Sequence, residues 1–280
     1  MHTEGYADLS DVRLHYVEEG EGPLVVLLHG FPDFWYSWRH QFPALAASGF
    51  RAVAPDMRGY NLSDKPRPIS EYSLDRLATD VVELVSILGE SRARLVGHDW
   101  GGVVAWATAA WHPDAVDRLA VLNAPHPDHY ARGLRNPKQL AKSWYAGFFQ
   151  LPGAPAVLRA NDFAALRRAL RSSSNEGTFT DGDIEAYVAA WSEPRAIESQ
   201  LAYYRAGARR TFRNLQPLPP VEAPVLVVWG ERDRALEDLF ATPPQDLAPR
   251  LRVARLRDAS HWVHMDKPDE VNERLLSFIA

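Results

Sequence analysis

Leu95-Val96-Gly97-His98-Asp99-Trp100-Gly101-Gly102 is the stretch whose reading decides the fold. A short apolar run, Arg94 to Val96, meets Gly-x-Asp-x-Gly, and a pattern of small residues suited to a helix starts at once. This reads as a strand, a sharp turn and a helix, with one side chain thrust out at the tip. The general form is the Gly-x-Ser-x-Gly turn that displays a nucleophile above an α/β sheet. Here the tip is Asp99, so the rest of the chain has to say what a carboxylate does in that position.

Working outward from the turn, Val12 to Val17 reads as an opening strand, and Leu24 to Leu28 as a strand buried on both faces of a parallel sheet. A helix is expected from Ser37 to Ala47, closed by Gly49, and a short strand from Arg51 to Ala54. Ser73 is placed to cap a helix whose apolar stripe is Leu77, Val81, Leu84, Val85 and Leu88, with Gly89 as its stop. The turn at Asp99 leads into a helix to Trp111 and a strand from Arg118 to Leu122. Strand and helix alternate, as in a parallel α/β sheet. Between His126 and Gln216 the alternation stops. Phe163–Leu170 and Ile184–Trp191 carry helical spacing, and no convincing strand appears. A strand from Val225 to Gly230 restores the alternation, followed by an expected helix from Leu236 to Leu247 and a strand from Leu251 to Leu256. The last helix begins near Pro268, with Val271, Leu275, Leu276 and Ile279 as its buried stripe. The expected organisation is one α/β core, residues 1–125 and 217–280, interrupted by a helical cap or lid over residues 126–216.

Of the 280 residues 46% are hydrophobic, enough for a substantial core and against disorder. With no cysteine, disulfides, thiolate chemistry and cysteine-ligated metals are excluded. The N-terminus lacks the basic-then-apolar run of a signal peptide, and apolar runs are strand-sized, so the expectation is a soluble cytoplasmic protein without a membrane segment. Net charge is −5, yet His126–Gln216 holds 13 lysines and arginines against 8 acids. These cations alternate with apolar residues, as on the wet faces of helices, which argues against nucleic-acid binding.

Sites in open parallel sheets form at the carboxyl ends of strands. Four such ends carry reactive residue types: His29-Gly30-Phe31-Pro32, Asp99, Asp233 in Gly230-Glu231-Arg232-Asp233, and His261 in Ala259-Ser260-His261-Trp262. Asp99, Asp233 and His261 follow the chain order nucleophile, acid, histidine. The run His29-Gly30-Phe31-Pro32-Asp33-Phe34-Trp35-Tyr36-Ser37-Trp38-Arg39, the turn at Asp99 and Ser260-His261-Trp262-Val263-His264-Met265-Asp266-Lys267-Pro268 together resemble the soluble epoxide hydrolase family of the α/β-hydrolase fold. The resemblance runs through the core from about Val12 and weakens in the lid. It implies epoxide opening to a vicinal diol with a small-molecule epoxide and water as the reactants, and no metal or organic cofactor. It also implies two lid tyrosines facing the epoxide oxygen. Tyr204, followed by Arg205, matches the second, and Tyr145, with Phe149-Gln150-Leu151-Pro152-Gly153 behind it, matches the first; Tyr203 and Tyr130 compete nearby.

The residue types suit that chemistry. An aspartate near its reference pKa of about 4 is an anion at neutral pH and can displace at a saturated carbon without losing a proton first. Ring opening leaves an alkoxide, to which Tyr145 and Tyr204 offer phenol O–H groups. The product is an ester on Asp99, against which His261, oriented by Asp233, activates water. The family implies the backbone N–H groups of Phe31 and Trp100 as the oxyanion donors, each worth roughly 3 kcal/mol of barrier. Trp35, Trp38 and Trp262 are candidates to line the pocket. His98 reads as structural. His261, His264 and Asp266 lack zinc-motif spacing. Asp56 and Asp258 lie at strand ends without matching the acid, and Asn123 is not acidic. The nearest alternative is a haloalkane dehalogenase using the same Asp99. Those enzymes hold the halide with Trp N–H groups or an Asn after His-Gly, where this chain has Phe31. A non-catalytic binding protein would need no such set of residues, and an acyl substrate would trap an aspartate as an anhydride. Neither the particular epoxide nor the oligomeric state is written in the sequence.

Overall fold

The computed structural model describes residues 2–212 and 217–280, with the side chains of 210–212 left aside. A strand apolar at every position belongs inside a sheet, and Leu24–Leu28 (β3) is buried throughout. Around it lie β1 (Thr3–Asp8), β2 (Arg13–Glu19), β4 (Arg51–Pro55), β5 (Ala93–His98), β6 (Val116–Leu122), β7 (Val225–Gly230) and β8 (Leu251–Leu256). They form one eight-stranded sheet in the order β1-β2-β4-β3-β5-β6-β7-β8. β1 pairs antiparallel with β2 and β2 with β4, and the other neighbours are parallel. The chain builds outward from β3 to β4 and then crosses to β5 on the other side. That reversal opens a crevice above the ends of β3 and β5, the usual ligand position in such sheets.

Helices cover both faces. α1 (Phe42–Ala47) and α11 (Pro268–Ile279) lie on one, and α2 (Leu74–Ile87) and α3 (Trp100–Trp111) on the other. Of the stripe expected in the last helix, Val271, Leu275 and Ile279 are buried, joined by Phe278, each worth roughly 1.5–3 kcal/mol relative to exposure, while Leu276 is only partly buried. In α2 the stripe Leu77, Val81, Leu84 and Val85 is buried, and Gly89 follows at φ +89°. Ser73 stands at its N-cap position, although its side chain makes no capping hydrogen bond. Between β6 and β7 the chain inserts α4 (Pro127–Gly133), α5 (Pro137–Lys142), α6 (Trp144–Phe148), α7 (Ala154–Ser173), α8 (Asp181–Ser192) and α9 (Ala196–Phe212). Left-handed backbone at Asn161, Asp162 and Phe163 divides α7. A third apolar cluster joins these helices to Phe34, Trp262 and Met265; Trp262 immediately precedes the single turn of α10 (Val263–Asp266) and Met265 lies within it.

Two expectations fail on local grounds, and one strand gives no signal in the sequence. The strand Thr3–Asp8 went unread because it is an edge strand with only Ala7 buried, so it has no apolar rhythm. Ser37–Ala47 is not one helix: a 3-10 turn at Trp35–Trp38 precedes α1, which starts only with Pro43 in its first turn. Leu236–Leu247 forms just a 3-10 turn at Asp238–Ala241. The prolines at 243 and 244 bring no N–H to continue it. The upper limit expected for the inserted segment, Gln216, lies outside the described residues. Among the described residues no helix is long and apolar enough to cross a membrane.

Candidate active site

Asp99 sits where β5 turns into α3, with φ 49° and ψ −122°. Such backbone in a non-glycine residue costs on the order of 1–3 kcal/mol and persists only where the surroundings impose it. Two glycines let them do so. A Cβ on Gly101 would stand 2.0 Å from the Leu28 carbonyl oxygen, and one on Gly30 2.3 Å from Asp99 Oδ1. The helix start and the loop after β3 therefore close directly on the nucleophile position. Asp99 also occupies the N-terminal end of a 12-residue helix, where the helix dipole favours an anion.

The Phe31 N–H donates to Asp99 Oδ1 at 2.8 Å, and Trp100 opens α3, whose first N–H groups have no partner within the helix. On the other side His261 Nε2 lies 3.6 Å from Asp99 Oδ2, and His261 Nδ1 lies 2.8 Å from Asp233 Oδ2. The three candidates from the distant strand ends thus converge. Asp233 is held hard: its Oδ1 accepts from the N–H groups of Ala235 at 2.7 Å and Leu236 at 2.9 Å, and its Oδ2 from Asn123 Nδ2 at 2.8 Å. Asn123, set aside in the sequence for want of a charge, is the residue that reasoning missed. It follows β6, takes φ 41°, and its Oδ1 accepts from Gly230 N–H at 2.7 Å. Its position beside the acid's strand was the available signal.

The charges reinforce one another. Burial works against ionised Asp99, yet His261, His98 and the Phe31 N–H hold it below the ordinary carboxylate range. Burial also opposes ionised Asp233, but His261, Asn123 and the Leu236 N–H bring it down too. For His261 burial disfavours the imidazolium, and the Asp233 and Asp99 carboxylates outweigh it, pushing the group up to about 10.

The two tyrosines come from different inserted helices, Tyr145 from α6 and Tyr204 from α9, and their ring centroids are 6.0 Å apart. Tyr204 packs edge-on to Phe31 at 5.4 Å, Trp100 at 5.1 Å and Phe149 at 4.8 Å. Burial first, and then the Asp99 charge, push the Tyr204 phenol well above its usual range; burial, Tyr130 and Asp99 do the same for Tyr145. Both therefore keep their protons at neutral pH and are donors. The competing tyrosines are occupied elsewhere. Tyr203 donates to the Arg58 carbonyl at 2.7 Å, and the Tyr130 hydroxyl bonds to that of Ser143 at 2.9 Å.

Of the three tryptophans, Trp262 lies beside His261 at 5.2 Å and donates to Ser173 Oγ at 2.8 Å. Trp35 is partly buried between the α1 face and the aromatic cluster under the inserted helices. Trp38 has no exposed surface and packs at 4.6 Å on His264, so it lies in the core and not at a wall that a substrate could touch. His29 is a brace: Nδ1–H donates to the Gly30 carbonyl at 3.0 Å and Nε2 accepts from Met57 N–H at 3.0 Å. His261, His264 and Asp266 do not converge, because Asp266 turns to Ser260 N–H and the Thr178 hydroxyl. Asp33, His98 and His264 are the group whose donor atoms gather within 4.8 Å.

The alpha/beta hydrolase fold family matches residues 23–268. The chain belongs to that family. It is 40% identical over 291 residues to Epoxide hydrolase 4 of Homo sapiens, covering 99% of this chain and 79% of the relative. It is 38% identical over 279 residues to the AB hydrolase superfamily protein YfhM of Bacillus subtilis, covering 98% and 96%. In structure it is similar to the Bacillus megaterium epoxide hydrolase crystallised with an inhibitor, with TM-score 0.91, 34% identity, and coverage of 98% and 99%. Within the hydrolase family, its relatives in sequence and in structure include epoxide hydrolases.

Proposed function

We propose that the protein hydrolyses epoxides to vicinal diols through an ester on Asp99. The observation that carries this reading is the meeting of Tyr145 and Tyr204, from two inserted helices, with rings 6.0 Å apart and Tyr204 packed on Phe31 and Trp100, the residues that flank the Asp99 carboxylate. An anion opposite two proton donors suits a reaction in which a carbon is attacked while oxygen leaves. A leaving halide has no need of a proton, so the tyrosine pair favours epoxide over haloalkane.

With Oδ1 engaged by the Phe31 N–H, Oδ2 is the attacking atom. It bonds to an epoxide carbon as the carbon–oxygen bond breaks, and a phenol protonates the departing alkoxide. Alkylation removes the negative charge of Asp99. One of the two carboxylates that keep His261 protonated is then gone, and only Asp233 still supports the imidazolium. Its proton passes to the tyrosinate left by ring opening, which restores the phenol, and the histidine becomes a base when a base is first needed. Water gives its proton to His261 Nε2 and its oxygen to the ester carbonyl carbon. The oxyanion on Oδ1 meets the Phe31 and Trp100 N–H groups. Collapse expels the diol oxygen, which takes the proton from His261, and the carboxyl proton of Asp99 passes to His261, so that the carboxylate and the imidazolium are both restored. Asp99, Asp233 and His261 act as a catalytic triad, and the inserted helices α4–α9 act as a cap that carries the phenols and closes the site from solvent.

Single turnover in oxygen-18 water, followed by mass spectrometry of the protein, tests the reading. Label is expected in Asp99; label found only in the first-turnover diol rejects the covalent route, and chloride release from haloalkanes without diol formation from any epoxide would move the assignment to the dehalogenase.

A further inference from the structure

One face of α8 lies against the loop that follows β3, and it does so through residues spaced four apart. Asp183 accepts from the Tyr36 hydroxyl at 3.0 Å and pairs with Arg39 at 3.0 Å. Tyr187 donates to Asp33 Oδ1 at 2.7 Å, and Trp191 Nε1 donates to the Pro32 carbonyl at 2.7 Å. Three of these contacts end at the loop. The one at Tyr187 continues inward. Asp33 Oδ2 faces His98 Nδ1 at 3.4 Å, and His98 Nε2 lies 2.9 Å from the backbone carbonyl of His261. Tyr187, Asp33, His98 and His261 are all buried. A carbonyl only accepts, so Nε2 of His98 carries a proton and donates. Its Nδ1 edge packs against the Asp33 carboxylate at 3.4 Å, a close contact with no hydrogen bond between the two atoms. His98 is also wedged between rings, 4.8 Å from His261 and 4.5 Å from His264.

We infer that Tyr187, Asp33 and His98 form a positioning strut that ties the docked inserted helices to the backbone of His261 and sets the rate of ester hydrolysis. The inference rests on the covalent reading above. None of the three touches the reacting atoms. They act through the peptide of the residue that must aim Nε2 at a water; His98 also adds to the field that keeps Asp99 ionised, so the variant that isolates the hydrolytic step is the one at Tyr187, the neutral end of the strut.

The two half-reactions separate the effect. When alkylation is irreversible and hydrolysis follows, kcat/KM reports alkylation alone, and slower hydrolysis lowers kcat and KM together. Tyr187→Phe deletes one hydroxyl and keeps the ring against Phe34 and Phe179. Its kcat and KM are expected to fall together, roughly three- to tenfold, with kcat/KM unchanged and more alkyl-enzyme at steady state by intact-protein mass spectrometry. Asp33→Asn should fall further in the same pattern. Trp191→Phe, which loses a docking contact of the same helix face without a path to His98, should leave the balance of the two steps alone. A Tyr187→Phe enzyme whose kcat falls at constant KM, or whose ester does not accumulate, overturns the strut. So does an equal accumulation in Trp191→Phe. If neither the wild type nor His261→Gln ever shows an adduct on Asp99, the covalent reading itself fails; an adduct in the wild type with unchanged partition in Tyr187→Phe removes the strut alone.

Discussion

The two sides of the active site are built by different physics. On the sheet side every charged group is fixed by directional bonds: Asp233 by two N–H groups, an amide and an imidazole, His261 by that carboxylate, and Asp99 by an N–H and a constrained turn. On the inserted-helix side Tyr145 and Tyr204 are set by ring edges, with centroids 4.8 to 6.0 Å from Phe149, Trp100, Phe31 and one another. Charge has to be placed to fractions of an ångström, and hydrogen bonds do that. The phenols are held instead by packing, which has no preferred direction; on the proposed reading this leaves their O–H groups for the epoxide oxygen.

The comparison can be broken most severely on the sheet side. His261→Gln should leave alkylation running and cut steady-state turnover by on the order of 10⁴-fold, with one equivalent of ester held on Asp99 by mass spectrometry; full turnover in this variant would end the assignment of the base. The helix side should lose less and lose it in the other step. Tyr204→Phe and Tyr145→Phe are each expected to lower kcat/KM, roughly 10- to 100-fold, without accumulating ester, and the double variant should lose more than either. A single tyrosine variant with unchanged kcat/KM would show that one phenol does all the work. The smallest effect sharpens the coupling between the charges. Asp99 and Asp233 both raise His261, to about 10. Asp99→Asn removes one carboxylate, so the imidazolium should lose its proton at lower pH, observable as a downward shift of the His261 ring titration by NMR. An unmoved midpoint would show that Asp99 does not sense His261 across their 3.6 Å.

Much of the sheet side was legible in the chain because its logic is local. Gly97-His98-Asp99-Trp100-Gly101 announces its turn, and Leu24–Leu28 announces a doubly buried strand. Where local signals failed, they failed for physical reasons. Leu236, Phe240 and Leu247 keep an apolar spacing through Pro243 and Pro244, so periodicity suggested a helix that the missing N–H groups forbid. Thr3–Asp8 at the sheet edge has no inward face to declare itself. The bond between Asn123 and Asp233 joins residues 110 apart, and that between Tyr187 and Asp33 joins residues 154 apart; no short window contains either. The choice among Tyr130, Tyr145, Tyr203 and Tyr204 likewise turns on what each hydroxyl meets, which only the assembled chain decides.

The hydroxyl of Tyr203 on the Arg58 carbonyl has one more consequence. Arg58 is itself locked under the sheet by Asp80 and Asp11, with contacts of 2.6 and 2.7 Å. Consecutive residues on a helix point about 100° apart, so the tyrosine next to the phenol at the site works as a key in a keyway. It stops α9 from rolling about its own axis. A roll of about 20° would carry a side-chain tip at a radius of 5–6 Å through about 2 Å, enough to lose a hydrogen bond to a substrate oxygen. Tyr203 thus fixes the rotation of α9 and, with it, the direction in which Tyr204 points.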